Sequence, residues 1–164
     1  MKTLFIIRHG KAEPRGQYGS DGDRPLTNDG VEEMKAVGRA LARLTDVAVV
    51  LTSPLVRARQ TADQIVAAFK PAPKMVVLDA LASASNYRRL AEAINGHLAD
   101  SVAVVGHEPD MSGLAGFLIG QEGSVAIDFK KGAVCRIDID DRLAQGGGTL
   151  VWLVPPKILR CFED

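Results

Sequence analysis

Residues 4–13 read LFIIRHGKAE: four apolar side chains, Leu4 to Ile7, run straight into Arg8, His9 and Gly10. A continuous apolar run of this length predicts a strand covered on both faces, as in a parallel sheet between helices. If that reading holds, the strand stops where it does because its C-terminal end delivers Arg8 and His9 to a working edge of the sheet. The rest of the chain can be tested against this expectation.

Three further runs of strand length follow, Val47 to Leu51, Met75 to Leu78 and Val102 to Val105, each bounded by turn or helix-start residues. Helical patterns lie between them. Thr27 caps a stretch in which Val31, Met34, Val37, Leu41 and Leu44 share one face, leaving Glu32, Glu33, Arg39 and Arg43 for solvent. Ser53 and Pro54 read as an N-cap and first-turn pair opening a second helix with Ala58, Ala62, Ile65 and Phe69 at core spacing. A third helix fits Asn86 to Leu98, and a fourth opens at Pro109 with Met111, Leu114 and Leu118 inward.

Such alternation predicts right-handed crossovers and a three-layer α/β/α fold on a mostly parallel sheet. The last third changes character: GAVCRIDI and TLVWLV, joined by the Gly-rich DDRLAQGGG, predict a hairpin that forms an antiparallel edge. Gly146 to Gly148 are followed by neither a lysine nor a helix, so they read as a hairpin loop rather than a phosphate loop.

Length and charge bound the function. A chain of 164 residues suits a single domain, residues 1–164, with a real core. Twenty basic and twenty acidic side chains cancel, so no global field recruits nucleic acid or an anionic membrane, and any anion site must be local. The apolar segment Leu4 to Ile7 is far too short for a signal core or a membrane span, which places the protein in the cytoplasm as an expectation. Cys135 and Cys161 have no metal-ligand spacing and read as ordinary reduced thiols.

In a parallel sheet the strand C-termini share one edge, and ligands bind in the crevice there. Three strands end in chemistry: RHG after the first, TSPLVRARQTA after the second, VVGHEPD after the fourth. Arg8 and Arg57 supply planar forks that pair with phosphate oxygens. Arg57 also falls in the first turn of a helix, where free amides and the dipole attract an anion. His107, just before another helix, can donate a hydrogen bond to the same group. Gly10 permits close backbone approach and an unusual turn angle, leaving His9 to face the ligand. A neutral imidazole at His9 is a competent nucleophile toward phosphorus, and the arginines and His107 would stabilise the equatorial oxygens of the transferring group.

These motifs, in this order, resemble the histidine phosphatase superfamily, whose fold is called phosphoglycerate-mutase-like. RHGKAEP, RPLTNDG and VVGHEPDMSGL make the chain most similar to the bacterial SixA branch of phosphohistidine phosphatases. The resemblance runs from residue 3 to about residue 120 and more loosely through the C-terminal hairpin. It implies that His9 becomes phosphorylated, that Arg8, Arg57 and His107 complete the phosphate pocket, and that neither metal nor organic cofactor is needed. The family also places polar residues just after RHG, where Lys11 and Glu13 stand here without an assigned role.

Many superfamily members carry a glutamate after the third strand that protonates a leaving alcohol. The comparable stretch here is LDALASASN, with Ala82 and Ser83 at the expected place. General-acid help to an alkoxide is worth about 10²- to 10⁴-fold, whereas an imidazole leaves as a much weaker base. The missing acid therefore fits a phosphoramidate substrate, with Asp79 and Glu108 as the remaining candidate donors. A short chain with little to roof the pocket suits a phosphohistidine displayed on a signalling or phosphorelay protein, and the polar loop from Glu13 to Asp23 is the candidate lid or partner contact.

The alternatives are a phosphatase for a small phosphomonoester and, in a different class, a module that binds phosphorylated proteins without turnover. An intact set of Arg8, His9, Arg57 and His107 weighs against the module, because binding alone needs no nucleophilic imidazole. His97 reads as a helix-end residue complementing the dipole, Arg59 as a surface cation, and Arg24 as a loop partner of Asp21 or Asp23. The three histidines are widely spaced, and two of them lie among arginines that would repel a cation, so metal binding is not expected.

Overall fold

A computed structural model describes residues 1–84, 86–120 and 125–162. Its six strands are β1 (Lys2–Arg8), β2 (Val49–Thr52), β3 (Lys74–Val77), β4 (Ser101–Gly106), β5 (Val134–Ile139) and β6 (Gly148–Val154), in the spatial order β3-β2-β4-β1-β5-β6. The helices are α1 (Asn28–Leu44), α2 (Val56–Ala68), α3 (Tyr87–Asn95), α4 (Asp110–Ile119) and the short α5 (Pro156–Leu159). Strands β3, β2, β4 and β1 pair in parallel, giving the expected α/β architecture.

The apolar run in β1 is buried on both faces, as its continuity predicts. Leu4 and Ile6 pack with Leu90 and Ile94 of α3 and Met111 and Leu114 of α4. Phe5 and Ile7 point the other way, onto Met34, Val37 and Leu41 of α1 and Ala58, Ala62 and Ile65 of α2. Thr27 caps α1 by accepting a hydrogen bond from the Gly30 amide at 2.9 Å, and Asn86 caps α3 through the Arg89 amide.

Five expectations are corrected. Ser53 is not the cap of α2: the helix begins at Val56, with Leu55 in the cap position. Leu44, assigned to the inner face of α1, is 51% exposed because the helix ends there, past the sheet it packs against. Strand β3 is not covered on both faces; as an edge strand it leaves Met75 37% and Val77 44% exposed. At the other edge only β5 is antiparallel to β1, and β6, antiparallel to β5, runs again in the direction of the core strands. The loop containing Gly146 to Gly148 does join β5 to β6, with Gly146 at φ +67°. Helix α3 stops at Asn95, so His97 lies just beyond its end rather than within it.

Candidate active site

The ends of β1, β4 and β2 are laced together by the backbone. Arg8 lies in register with Gly106, the His9 amide donates to the Gly106 carbonyl at 2.9 Å, and the Ser53 amide donates to the Val105 carbonyl at 3.0 Å. Topology thus brings RHG, TSPLVRARQTA and GHEPD to one place, as the motif order predicts. The rings of His9 and His107 lie against each other, tilted by 52° at a centroid distance of 5.1 Å.

His9 is 6% exposed, and its Nδ1 donates to the Gly10 carbonyl at 2.7 Å. That bond places the ring proton on Nδ1 and makes Nε2 the nitrogen that carries the lone pair. Burial is the main cause that lowers its pKa from 6.5 to about 3; the Gly10 carbonyl works against it, and His107, Arg57 and Arg8 add to it. Arg57 Nε donates to this Nε2 over 3.3 Å, a long contact that an incoming phosphoryl group can replace.

Gly10 serves His9 rather than the ligand. Its amide is spent on Thr61 Oγ1 at 3.1 Å, and Thr61 in turn donates to the Arg57 carbonyl at 2.8 Å. Its conformation is ordinary, because the only positive φ values among the described residues are at Gly16, Gly132 and Gly146. What requires a glycine is space: a Cβ at residue 10 would lie 2.7 Å from Met34 Cγ. Gly30 in RPLTNDG has the same function on the other side of the turn, where a Cβ would collide with the Lys11 carbonyl.

Arg57 is 6% exposed, and its guanidinium is spoken for on both sides. Nη1 donates to the Asp21 carbonyl at 2.7 Å and Nη2 to Asp21 Oδ2 at 3.0 Å. Arg24 holds the same carboxylate through Nε at 2.9 Å and reaches the Glu13 carbonyl with Nη1 at 2.8 Å. Arg24 therefore chooses Asp21 over Asp23, which instead accepts from Ser20. Partial burial pulls the Asp21 carboxyl upward, but Arg57 and Arg24 outweigh it and hold it below the usual range. The 13–24 loop is thereby fastened directly to the arginine that touches His9.

Arg8 donates through Nη1 to the Phe129 carbonyl at 2.8 Å, while its Nε is buried with no partner among the described residues. His107 is 7% exposed; its Nε2 lies 2.7 Å from Ser53 Oγ, and its Nδ1 is likewise buried and unpartnered. Burial first, then Arg57, lowers its pKa to about 4, with Asp21 opposing. Two buried polar nitrogens at neighbouring strand ends are thus left for a bound group to satisfy.

The candidate donors fare differently. Glu108 spends both carboxylate oxygens on Ser112, at 2.8 Å to the amide and 2.7 Å to the hydroxyl, and so caps α4. Asp79 is exposed in the single turn after β3. Asp110, which the sequence reading passed over, is 6% exposed, accepts from the Ala84 amide at 2.8 Å and has a pKa raised by burial. It braces α4 against the very stretch that lacks the glutamate. Lys11 is exposed and lines a polar hollow against α1 with Asp29 and Glu32, and Arg59 is exposed on α2.

Asp21, Thr61 and Ser53 are the functional neighbours that sequence reasoning missed as such. Only Thr61 carried a signal, since four residues after Arg57 it must share its helix face. Among the described residues no cluster of His, Cys, Asp and Glu side chains is arranged to hold a metal ion.

Comparison with known proteins agrees with this geometry. The family model for the histidine phosphatase superfamily (branch 1) matches residues 4–86. An uncharacterized protein of Picosynechococcus sp. is 37% identical over 136 residues, covering 80% of this chain and 81% of its own. The solved structure of the protein histidine phosphatase SixA complexed with tungstate superposes with a TM-score of 0.82 at 27% identity, over 96% of this chain and 99% of its own. The alpha-ribazole phosphatase of Shigella flexneri shares the fold, with a TM-score of 0.68 at 20% identity over 94% of this chain and 96% of its own. The chain belongs to the histidine phosphatase superfamily, in its SixA-type branch, and is a phosphatase.

Proposed function

We propose that the protein hydrolyses phosphohistidine displayed on another protein, with His9 as the nucleophile. The observation that carries this reading is a buried His9, neutral at pH 7 and tied at Nδ1, set beside two guanidinium groups and the unpartnered Arg8 Nε and His107 Nδ1.

In the first step the His9 Nε2 lone pair attacks phosphorus and the P–N bond of the substrate breaks. The bond's electron pair stays on the leaving imidazole, which departs neutral if its other nitrogen is already protonated. No protein acid is needed, in keeping with Ala82 and Ser83 where other members hold a glutamate and with Glu108 being spent on Ser112. The phosphorylated His9 is an imidazolium whose Nδ1–H remains bonded to the Gly10 carbonyl. In the second step a water oxygen attacks phosphorus, the P–Nε2 pair returns to His9, and the water proton passes to solvent.

Arg8, Arg57 and His107 hold the phosphoryl oxygens in both steps, which is where such catalysis mainly resides. A phosphohistidine protein substrate is further supported by the likeness to a protein histidine phosphatase. Among the described residues no helix is long and apolar enough to cross a membrane. We place the protein in the cytoplasm, where the free Cys135 and Cys161 stay reduced.

The test compares turnover of a phosphohistidine-bearing domain with that of p-nitrophenyl phosphate. Faster turnover of the phosphoprotein is expected. A higher kcat/KM for the monoester would favour a small phosphomonoester as substrate, and tight binding without turnover of either would favour a recognition module.

A further inference from the structure

Ser53 is fully buried, and it does not cap α2. Its hydroxyl oxygen accepts from the Leu55 amide at 3.3 Å and lies 2.7 Å from His107 Nε2. A hydroxyl carries one proton and two lone pairs, and among the described residues its only other polar contact is His107. If His107 Nε2 carried a proton, Ser53 would accept twice and its own buried O–H would have no acceptor. If Nε2 is the acceptor, Ser53 is satisfied, and the single proton of the neutral imidazole must sit on Nδ1.

We propose that Ser53 is a positioning residue that fixes the tautomer of His107, so that Nδ1–H points an otherwise unpartnered hydrogen-bond donor at the phosphoryl group. In the opposite tautomer the same nitrogen would present a lone pair to an anion and repel it. The tautomer matters because His107 is held neutral, by burial and by Arg57, Arg24 and Arg8 around it, against Asp21. His9, whose ring also faces it, is neutral too. A neutral imidazole has only one proton to place. The role of the Nδ1–H in turnover rests on the phosphatase mechanism proposed above, but the tautomer does not.

The test is long-range ¹H–¹⁵N correlation of the imidazole rings of the whole protein near neutral pH. His107 is assigned by difference from His9→Ala and His97→Gln. The expected result in the wild type is a protonated Nδ1 and a pyridine-like Nε2. Ser53→Ala should mix in the other tautomer and weaken binding of inorganic tungstate by about 10-fold, the loss of one hydrogen bond to a charged group. Ser53→Thr, which keeps the hydroxyl, should keep the wild-type signature.

A wild-type His107 protonated on Nε2 overturns the proposal, whether or not any variant folds. An unchanged signature in a folded Ser53→Ala overturns the role of Ser53. Failure of the phosphatase reading would appear separately, as absent turnover with the tautomer intact.

Discussion

The ends of β1 and β4 each present a buried, neutral histidine, yet the two side chains are prepared for opposite work. At the end of β1, His9 donates its Nδ1–H to a backbone carbonyl and keeps the lone pair on Nε2, where Arg57 Nε meets it at 3.3 Å. At the end of β4, His107 has its Nε2 against a serine hydroxyl and its Nδ1 turned to a space without a partner. On the proposed mechanism one ring serves as nucleophile and the other as donor, because Nδ1 is tied to a carbonyl in His9 and Nε2 to a hydroxyl in His107. Burial depresses both pKa values, to about 3 and about 4, and so prevents protonation from erasing the distinction at neutral pH.

The largest effect should come from removing the nucleophilic side of this pair. His9→Ala is expected to lower kcat by more than about 10³-fold, the scale on which covalent catalysis fails when its nucleophile is lost. Tungstate should still bind, measured by calorimetry. His107→Ala should cost less, about 10²-fold, since it removes one donor to the transition state and leaves the two guanidiniums in place.

Arg57 serves both histidines and tests what holds them in register. Arg57→Lys keeps the charge but loses the fork that spans His9 Nε2, the Asp21 backbone carbonyl and Asp21 Oδ2. A fall in kcat/KM of about 10²-fold is expected, against a much smaller loss for the exposed Arg59→Lys. Asp21→Asn acts on the same fork more gently. With the competing carboxylate charge gone, inhibition by inorganic phosphate should tighten by about 2- to 5-fold, as read from Ki in steady-state assays.

The same pair of histidines also acts on stability. Both histidines have folded pKa values below 6.5, so between pH 6.5 and about 3 the unfolded chain binds more protons than the folded one. Stability should therefore rise with pH across this window, be fully present above it, and be lost progressively as pH falls through it. Urea unfolding from pH 4.5 to 7.5 should show that slope, and His9→Ala should reduce it. A slope unchanged by the substitution would mean that His9 is not held neutral by its burial.

Much of the fold was legible because the relevant signals are local. The apolar runs of β1 and β4, the cap at Thr27 and the alternation of strands with helices follow from neighbouring residues alone. The convergence of Arg8, His9, Arg57 and His107 was legible for a related reason, since parallel topology gathers strand ends whatever the strand order. What escaped depends on contacts distant in the chain. Ser53 looks like a cap because Ser-Pro usually is one, and only the approach of His107, 54 residues on, shows its hydroxyl otherwise engaged. Asp21 sits in a polar loop whose path is set by Arg57 and Arg24 rather than by any periodicity. The exposure of β3 follows from its place at the sheet edge, and a run of valines carries no information about its neighbours.

The central claim, that His9 and not His107 carries the phosphoryl group, is tested most directly by trapping it. A phosphohistidine-bearing domain would be mixed with excess enzyme, quenched in base on the millisecond scale, where phosphohistidine survives, and digested for mass spectrometry. The account predicts a transient phosphoryl group on the peptide containing His9, localised to that residue and absent from His9→Ala. Phosphate released at the wild-type rate by His9→Ala, or a phosphoryl group found on His107, would contradict it.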